Sequence, residues 1–163
     1  MERPKNEPKH YQTFEDLEVY RVPREFRRAM YQVAKRLPQE ENLALTSQIR
    51  GAAISLTNNI AEGHGRFHFL EQIKFILQSR GSLAELLDDL NVCEDEAYLP
   101  AQEIEPLRQA GWRVHKLVNG YIRFLRRRAS GNSAYIREDP PDDDLKDSFL
   151  NRFNTLPLQR FNE

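Results

Sequence analysis

Four consecutive stretches between residues 13 and 128 carry apolar residues at intervals of three and four, and none alternates with period two. Such spacing excludes a sheet and predicts helices with one buried face each. In the first stretch Val19, Val22, Phe26, Ala29, Met30, Val33 and Leu37 share a face. Thr13, three residues before Asp16, resembles an N-cap with a carboxylate near the positive helix end. Pro23 is expected to kink this helix or to mark a restart after one preliminary turn, and Pro38 ends it. The second stretch, about Ala44 to Glu62, aligns Leu45, Ile49, Ala52, Leu56 and Ile60; Gly63 and Gly65 are then expected to take positive φ in a closing turn. The third, about Phe67 to Glu96, aligns Phe69, Ile73, Ile76, Leu83, Leu87 and Leu90. The fourth, about Ala101 to Arg128, aligns Ile104, Leu107, Val114, Val118, Tyr121, Ile122 and Leu125. Short connections between long helices make neighbours antiparallel. The prediction is an all-α, antiparallel up-down-up-down four-helix bundle over residues 13–128.

The flanks differ from this body. Residues 1–12 are polar with two prolines and are expected to form a flexible lead. Residues 129–163 form an acidic, Pro-containing, largely irregular tail, opening with Ser130-Gly131-Asn132-Ser133 and continuing through Pro140-Pro141-Asp142-Asp143-Asp144. Its terminal Phe149, Leu150, Phe153, Leu156, Leu158 and Phe161 fit either disorder or a short segment that docks on a partner or on the bundle. The net charge of −1 hides this division, since residues 1–128 hold 20 of the 24 basic and 18 of the 25 acidic side chains. The body is therefore mildly basic and the tail acidic. No apolar run approaches the ~20 residues a membrane-spanning helix needs, and the N-terminus does not resemble a secretory signal. A single cysteine, Cys93, allows no internal disulfide and fits a cytoplasmic protein.

The second and third helices carry too few charges to face water on their own. Between Ala44 and Glu62 only Arg50 and Glu62 are charged. The side opposite the apolar stripe presents Ser47, Gly51, Ile54, Ser55, Asn58 and Ala61, which would let another backbone approach. In the third helix Leu70, Phe75, Leu77, Ala84 and Leu86 widen the apolar arc, and Arg80 within it needs a partner, with Glu62 the first candidate. Trp112 points away from its helix's core stripe. A homo-oligomer with Ile54, Asn58 and Trp112 at its contacts is expected, the alternative being that the terminal segments cover these faces within one subunit.

Nothing in the chain resembles a catalytic centre, so no enzyme and no cofactor is expected. His64 and His68 have i,i+4 spacing near Glu62, but Gly65 puts the pair across a turn, and surface histidines are the better reading than a metal site. His115 fits a satisfied core histidine, and Cys93 a small buried hydrophobe. Gly63-His64-Gly65-Arg66 follows a helix and lacks a Gly-Lys-Ser/Thr ending, so it is no phosphate loop.

Basic residues carry more information. Arg21, Arg24, Arg28 and Lys35 line the first helix opposite its apolar face. Arg113, Lys116, Arg123 and Arg127 do so on the fourth, reinforced by Arg126 and Arg128. Such stripes can follow a phosphate backbone, with Tyr31 and Trp112 placed to stack on bases, or can simply be a solvated surface. Two functions follow: a nucleic-acid-binding oligomer, with RNA the expected ligand, or a protein-interaction scaffold that recruits a partner such as a reverse transcriptase through its surface or C-terminal tail.

The stretch Leu45-Thr46-Ser47-Gln48-Ile49-Arg50-Gly51-Ala52-Ala53-Ile54-Ser55-Leu56-Thr57-Asn58-Asn59-Ile60-Ala61-Glu62-Gly63 resembles the signature of the four-helix-bundle family of 23S ribosomal-RNA intervening-sequence proteins. Phe14-Glu15-Asp16-Leu17-Glu18-Val19-Tyr20 resembles its opening motif and Arg80-Gly81-Ser82-Leu83-Ala84-Glu85-Leu86 its third-helix motif. The likeness spans about residues 13–126; neither the tail nor Pro23 belongs to the family pattern. It implies a bacterial, cytoplasmic bundle that assembles as a homopentamer. A related branch, the accessory variability determinants of diversity-generating retroelements, binds nucleic acid and a reverse transcriptase through a basic pentamer surface. Matched motif positions include Gln48, Arg50, Ser55, Asn59, Glu62, Ser82 and Glu85, whose types imply hydrogen-bond networks that fix helix packing and subunit contacts.

Overall fold

A computed structural model of the chain describes residues 13–131, so the lead and nearly all of the tail, with its apolar terminal segment, lie outside the described residues. Thr13 does cap, but it caps a short 3-10 turn, Phe14–Asp16. The Glu15 amide donates to Thr13 Oγ1 and the Thr13 amide to Asp16 Oδ2, both at 3.2 Å. Leu17 then turns extended (φ −75°, ψ 132°) before helix α1, Glu18–Arg36. The restart expected at Pro23 therefore falls at Leu17. Pro23 is buried inside α1, which runs through it. So near the helix start, its missing N–H leaves a single carbonyl, that of Val19, without its helical donor.

A second 3-10 turn, Gln39–Leu43, leads into α2, Leu45–His64. Glu41 starts this helix: its Oε2 accepts from the Leu45 amide at 3.2 Å while Oε1 accepts from Tyr98 Oη at 2.7 Å. One carboxylate thus caps α2 and ties it to the connection between helices three and four. At the far end the positive-φ expectation is corrected. Gly63 is still helical, and Gly65 closes the helix at φ −74°, ψ −4°. Gly63 is small for another reason: a Cβ there would stand 3.1 Å from Phe75 Cβ on the third helix.

Helix α3 spans Phe69–Asp95 and α4 spans Ala101–Ala129. Between them Ala97 adopts φ 56°; Ala97 N bonds Glu94 O at 3.0 Å and Tyr98 N bonds Cys93 O at 2.9 Å. These two bonds and the left-handed residue make a Schellman ending without glycine. Pro106 lies inside α4 near its start, as Pro23 does in α1. No strand occurs among the described residues. Each helix packs on its two sequence or closing neighbours, α2 against α3 most extensively and α1 against α4 least, which closes a four-helix bundle. The predicted stripes meet inside, with Met30, Ile49, Leu56, Ile76, Leu83, Val118 and Leu125 fully buried.

The α2–α3 seam is polar as well as apolar. Ser79 Oγ donates to Leu56 O at 2.7 Å, Ser82 Oγ to Ser55 Oγ at 2.8 Å, and Gln48 Nε2 to Asp89 Oδ1 at 2.8 Å. Asp89 is only 1% exposed, and its Oδ2 has no partner among the described residues. Burial, aided by Asp88 and Glu85, pushes its carboxyl up to about 6, against the pull of the Gln48 bond. Because the folded chain holds this proton more tightly than the unfolded chain, the associated stability is complete at low pH. It is lost as pH rises through about 6. Asp89→Asn keeps the Gln48 acceptor and cannot ionise. Relative to wild type, the variant is expected to gain about 2 kcal/mol of stability between pH 4.5 and 7.5. Urea denaturation of both proteins at the two pH values measures this; an unchanged difference would show that Asp89 keeps its charge when folded.

Candidate nucleic-acid interface

The antiparallel order brings the start of α1, the end of α2, the start of α3 and the end of α4 to one end of the bundle. Dividing the helices at their midpoints separates charge along the axis. The half made of residues 13–27, 55–82 and 116–131 holds eleven Lys/Arg and six Asp/Glu. The other half, residues 28–54 and 83–115, holds six Lys/Arg and ten Asp/Glu. The difference is sharpest in α4, where Lys116, Arg123, Arg126, Arg127 and Arg128 are accompanied by no acidic residue between position 116 and the helix end at Ala129. Cations at a helix C-terminus also favour the dipole, an effect confined to about the last turn. Lys116 and Arg123 lie too far back for that explanation.

All nine predicted contact residues are exposed. They do not form one site. Arg21, Arg24, Lys116, Arg123, Arg126 and Arg127 lie in the basic half; Lys35 and Arg113 lie in the acidic half. Arg28, near the midplane, is held by Glu25 at 3.2 Å. In the acidic half two further arginines are engaged, Arg36 with Glu103 and Arg108 with Glu94. By contrast Arg21, Arg24, Lys116 and Arg127 make no side-chain ion pair or hydrogen bond among the described residues. Arg27, which lies beside Arg28 in sequence, faces inward and donates to Thr57 Oγ1 at 2.7 Å. It holds α1 to α2 and is structural.

Of the two predicted stacking residues, both are half-buried, and Trp112 packs edge-to-face on His115 at 5.5 Å between centroids. Phe124, which sequence reasoning passed over, is 44% exposed and stacks on Tyr121 with centroids 5.9 Å apart and an interplanar angle of 15°. Arg128 lies over the same ring at 5.6 Å. The signal available in the sequence was an aromatic residue inside Arg123-Phe124-Leu125-Arg126-Arg127-Arg128, one position off the core stripe.

The motif residues divide. Ser55, Asn59 and Ser82 form one network, with Asn59 Nδ2 donating to Ser55 O at 2.9 Å and to its Oγ at 3.0 Å; Gln48 joins Asp89. Arg80 donates to Asn119 Oδ1 at 3.1 Å, so its partner lies on α4; Glu62, the expected partner, accepts from Arg66 instead. Arg50 and Glu85 are exposed and make no hydrogen bond or ion pair among the described residues. The charge-poor face of α2 is open in part: Ser47, Gly51, Asn58 and Ile54, the last 42% exposed, face outward, whereas Ser55, expected beside them, bonds Ser82 on α3 and Ala61 packs against the core. Leu86, counted in the widened arc of α3, is fully buried and belongs to the core. Cys93 is buried, and burial pushes its thiol up to about 11, which leaves it unreactive. Among the described residues, no group of three or more His, Cys, Asp or Glu is placed to hold a metal ion, and no helix is long and apolar enough to cross a membrane.

Comparison with known proteins agrees with this architecture. A family model described as 23S rRNA-intervening sequence protein matches residues 15–120, and no curated protein matches the chain.

Proposed function

The chain belongs to the 23S rRNA-intervening sequence protein family, and from that premise we propose that it is a non-catalytic, cytoplasmic, homo-oligomeric nucleic-acid-binding protein whose ligand is RNA. The observation that carries this reading is the acid-free run of Lys116, Arg123, Arg126, Arg127 and Arg128 at one end of the bundle. A surface built only for solubility intersperses both signs. With eleven Lys/Arg against six Asp/Glu, the net positive field of this half raises the local concentration of a polyanion and speeds its encounter. The family's name supports RNA over other polyanions. Binding through phosphates fixes position on the ligand and carries little sequence preference.

Assembly rests on α2. Gly51 sits in a helix interior, where glycine costs about 1 kcal/mol against alanine, yet nothing lies within 4 Å of the Cβ it lacks. Nothing among the described residues needs that gap. A second subunit packing on the Gly51, Ile54 and Asn58 face would use it, and the family resemblance makes five the expected number. A ring multiplies the basic end, so contacts that are weak singly add along one ligand.

Filter binding of RNA across a salt series tests the function. Five phosphate contacts from one subunit predict that log affinity falls against log salt with a slope of about −3.5 or steeper. No binding at 50 mM salt, or an affinity indifferent to salt, would remove the reading.

A further inference from the structure

We propose that Phe124, backed by Tyr121 and flanked by the arginines of the last two turns of α4, is a stacking platform for an unpaired base of a single-stranded polynucleotide. This rests on the nucleic-acid reading above and specifies which form of ligand the basic end takes. Phe124 is one of six large apolar side chains exposed among the described residues, and its neighbours in sequence and along the helix are Arg123, Arg127 and Arg128. Tyr121 is half-buried and stacked against the ring, so the phenyl group is held before any ligand arrives. A preset ring loses little rotamer freedom when a base lands on it. The Arg128 guanidinium lies 5.6 Å from the centroid, near the ~6 Å limit for a cation–π contact. It covers the ring loosely and can move to a phosphate.

Charge chooses between occupants. An apolar protein surface, or the Ile54 face of another subunit, would bury the ring only by stripping water from several guanidinium groups without pairing them. Desolvated, unpaired charge is strongly unfavourable. A polynucleotide supplies a flat apolar face for the ring and phosphates for the guanidiniums in one ligand. A duplex offers the phosphates but keeps its bases stacked inward. The platform is therefore selective for single strands, and the surrounding arginines are not.

Fluorescence anisotropy of the full chain tests this, using a labelled uridine 20-mer, its deoxy counterpart and an RNA duplex of equal charge. Phe124→Leu keeps apolar bulk and removes the π-face. It is expected to weaken both single strands about tenfold while changing duplex affinity less than twofold and leaving the salt slope intact. Phe124→Trp is expected to bind single strands at least as tightly as wild type. Equal losses on single strand and duplex, or no loss in Phe124→Leu, would overturn the platform while leaving the nucleic-acid reading standing. A fall in molecular mass of Phe124→Leu by light scattering would overturn it in favour of a subunit contact. Failure of the wild-type chain to bind any of the three ligands would overturn both.

Discussion

Replacing Arg123, Arg126, Arg127 and Arg128 together by glutamine is expected to lower RNA affinity about 100-fold at 100 mM salt and to make the salt slope shallower by about 3. Each arginine that neutralises a phosphate releases a condensed counterion, so losing four contacts removes about 0.7 to 0.9 of a slope unit apiece. The informative control is the other end of the molecule. Lys35 and Arg113 are exposed, like the α4 arginines, but sit in the half where acids outnumber bases ten to six. The pair Lys35→Gln with Arg113→Gln is expected to change affinity less than threefold. Equal losses from both variants would mean that charge along the whole helix length matters, as the stripes alone suggest, and that the axial polarity is incidental. Removing four cations from a helix C-terminus also weakens the dipole interaction by about 0.3–1 kcal/mol for those in the last turn. Circular dichroism of the variant separates that loss from binding.

The core was legible because burial is periodic. The residues predicted to face inward on all four helices are buried or half-buried, from Val19 and Phe26 on α1 to Ile122 and Leu125 on α4. What was not legible depends on how one helix is shifted along another. Arg80 and Glu62 have plausible chemistry for a pair, but the offset between α2 and α3 sets Ser55 beside Ser82 and Gln48 beside Asp89, and Arg80 turns to Asn119 on α4. Asp89 shows the same limit differently. With Ser79, Ser82, Leu86 and Cys93 it recurs at intervals of three and four, so its inward position was readable; its charge argued against that position. Prolines misled for a local reason. At Pro23 the lost hydrogen bond is a single carbonyl's and burial of the ring offsets it, so α1 passes through; α4 likewise continues through Pro106, whose ring is exposed.

The candidate site was legible in its residue types and not in its extent. Two basic stripes are visible on a helical wheel, which has no axis. Only the antiparallel path shows that Arg21 and Arg127, far apart in the chain, share an end, and that Lys35 belongs with the acids. Phe124 was hidden by the same projection. It lies one residue off the stripe carrying Leu125, close enough to be counted as core, yet the ring faces solvent.

Gly63→Leu is expected to destabilise the protein by about 3 kcal/mol, lowering the melting temperature by about 10 °C. A Cβ added at Gly63 would stand 3.1 Å from Phe75 Cβ and 3.3 Å from the Gln72 carbonyl oxygen. Neither neighbour can swing aside, because one is fixed to its Cα and the other is backbone. Alanine at this site therefore loses to crowding what it gains in helix propensity, and leucine must push α2 and α3 apart where their seam closes. Gly51 supplies the opposite case on the same helix. Its missing Cβ has open space, so within a subunit Gly51→Leu should be tolerated or mildly stabilising, by up to about 1 kcal/mol. If the α2 face is a subunit contact, the Gly51 variant should instead dissociate the oligomer while each bundle stays folded, whereas the Gly63 variant should weaken the bundle itself. Thermal unfolding and light scattering on the two variants read these effects separately. A Gly63→Leu protein that melts within about 2 °C of wild type would mean that the α2–α3 seam yields, and that close approach is not what keeps this position small.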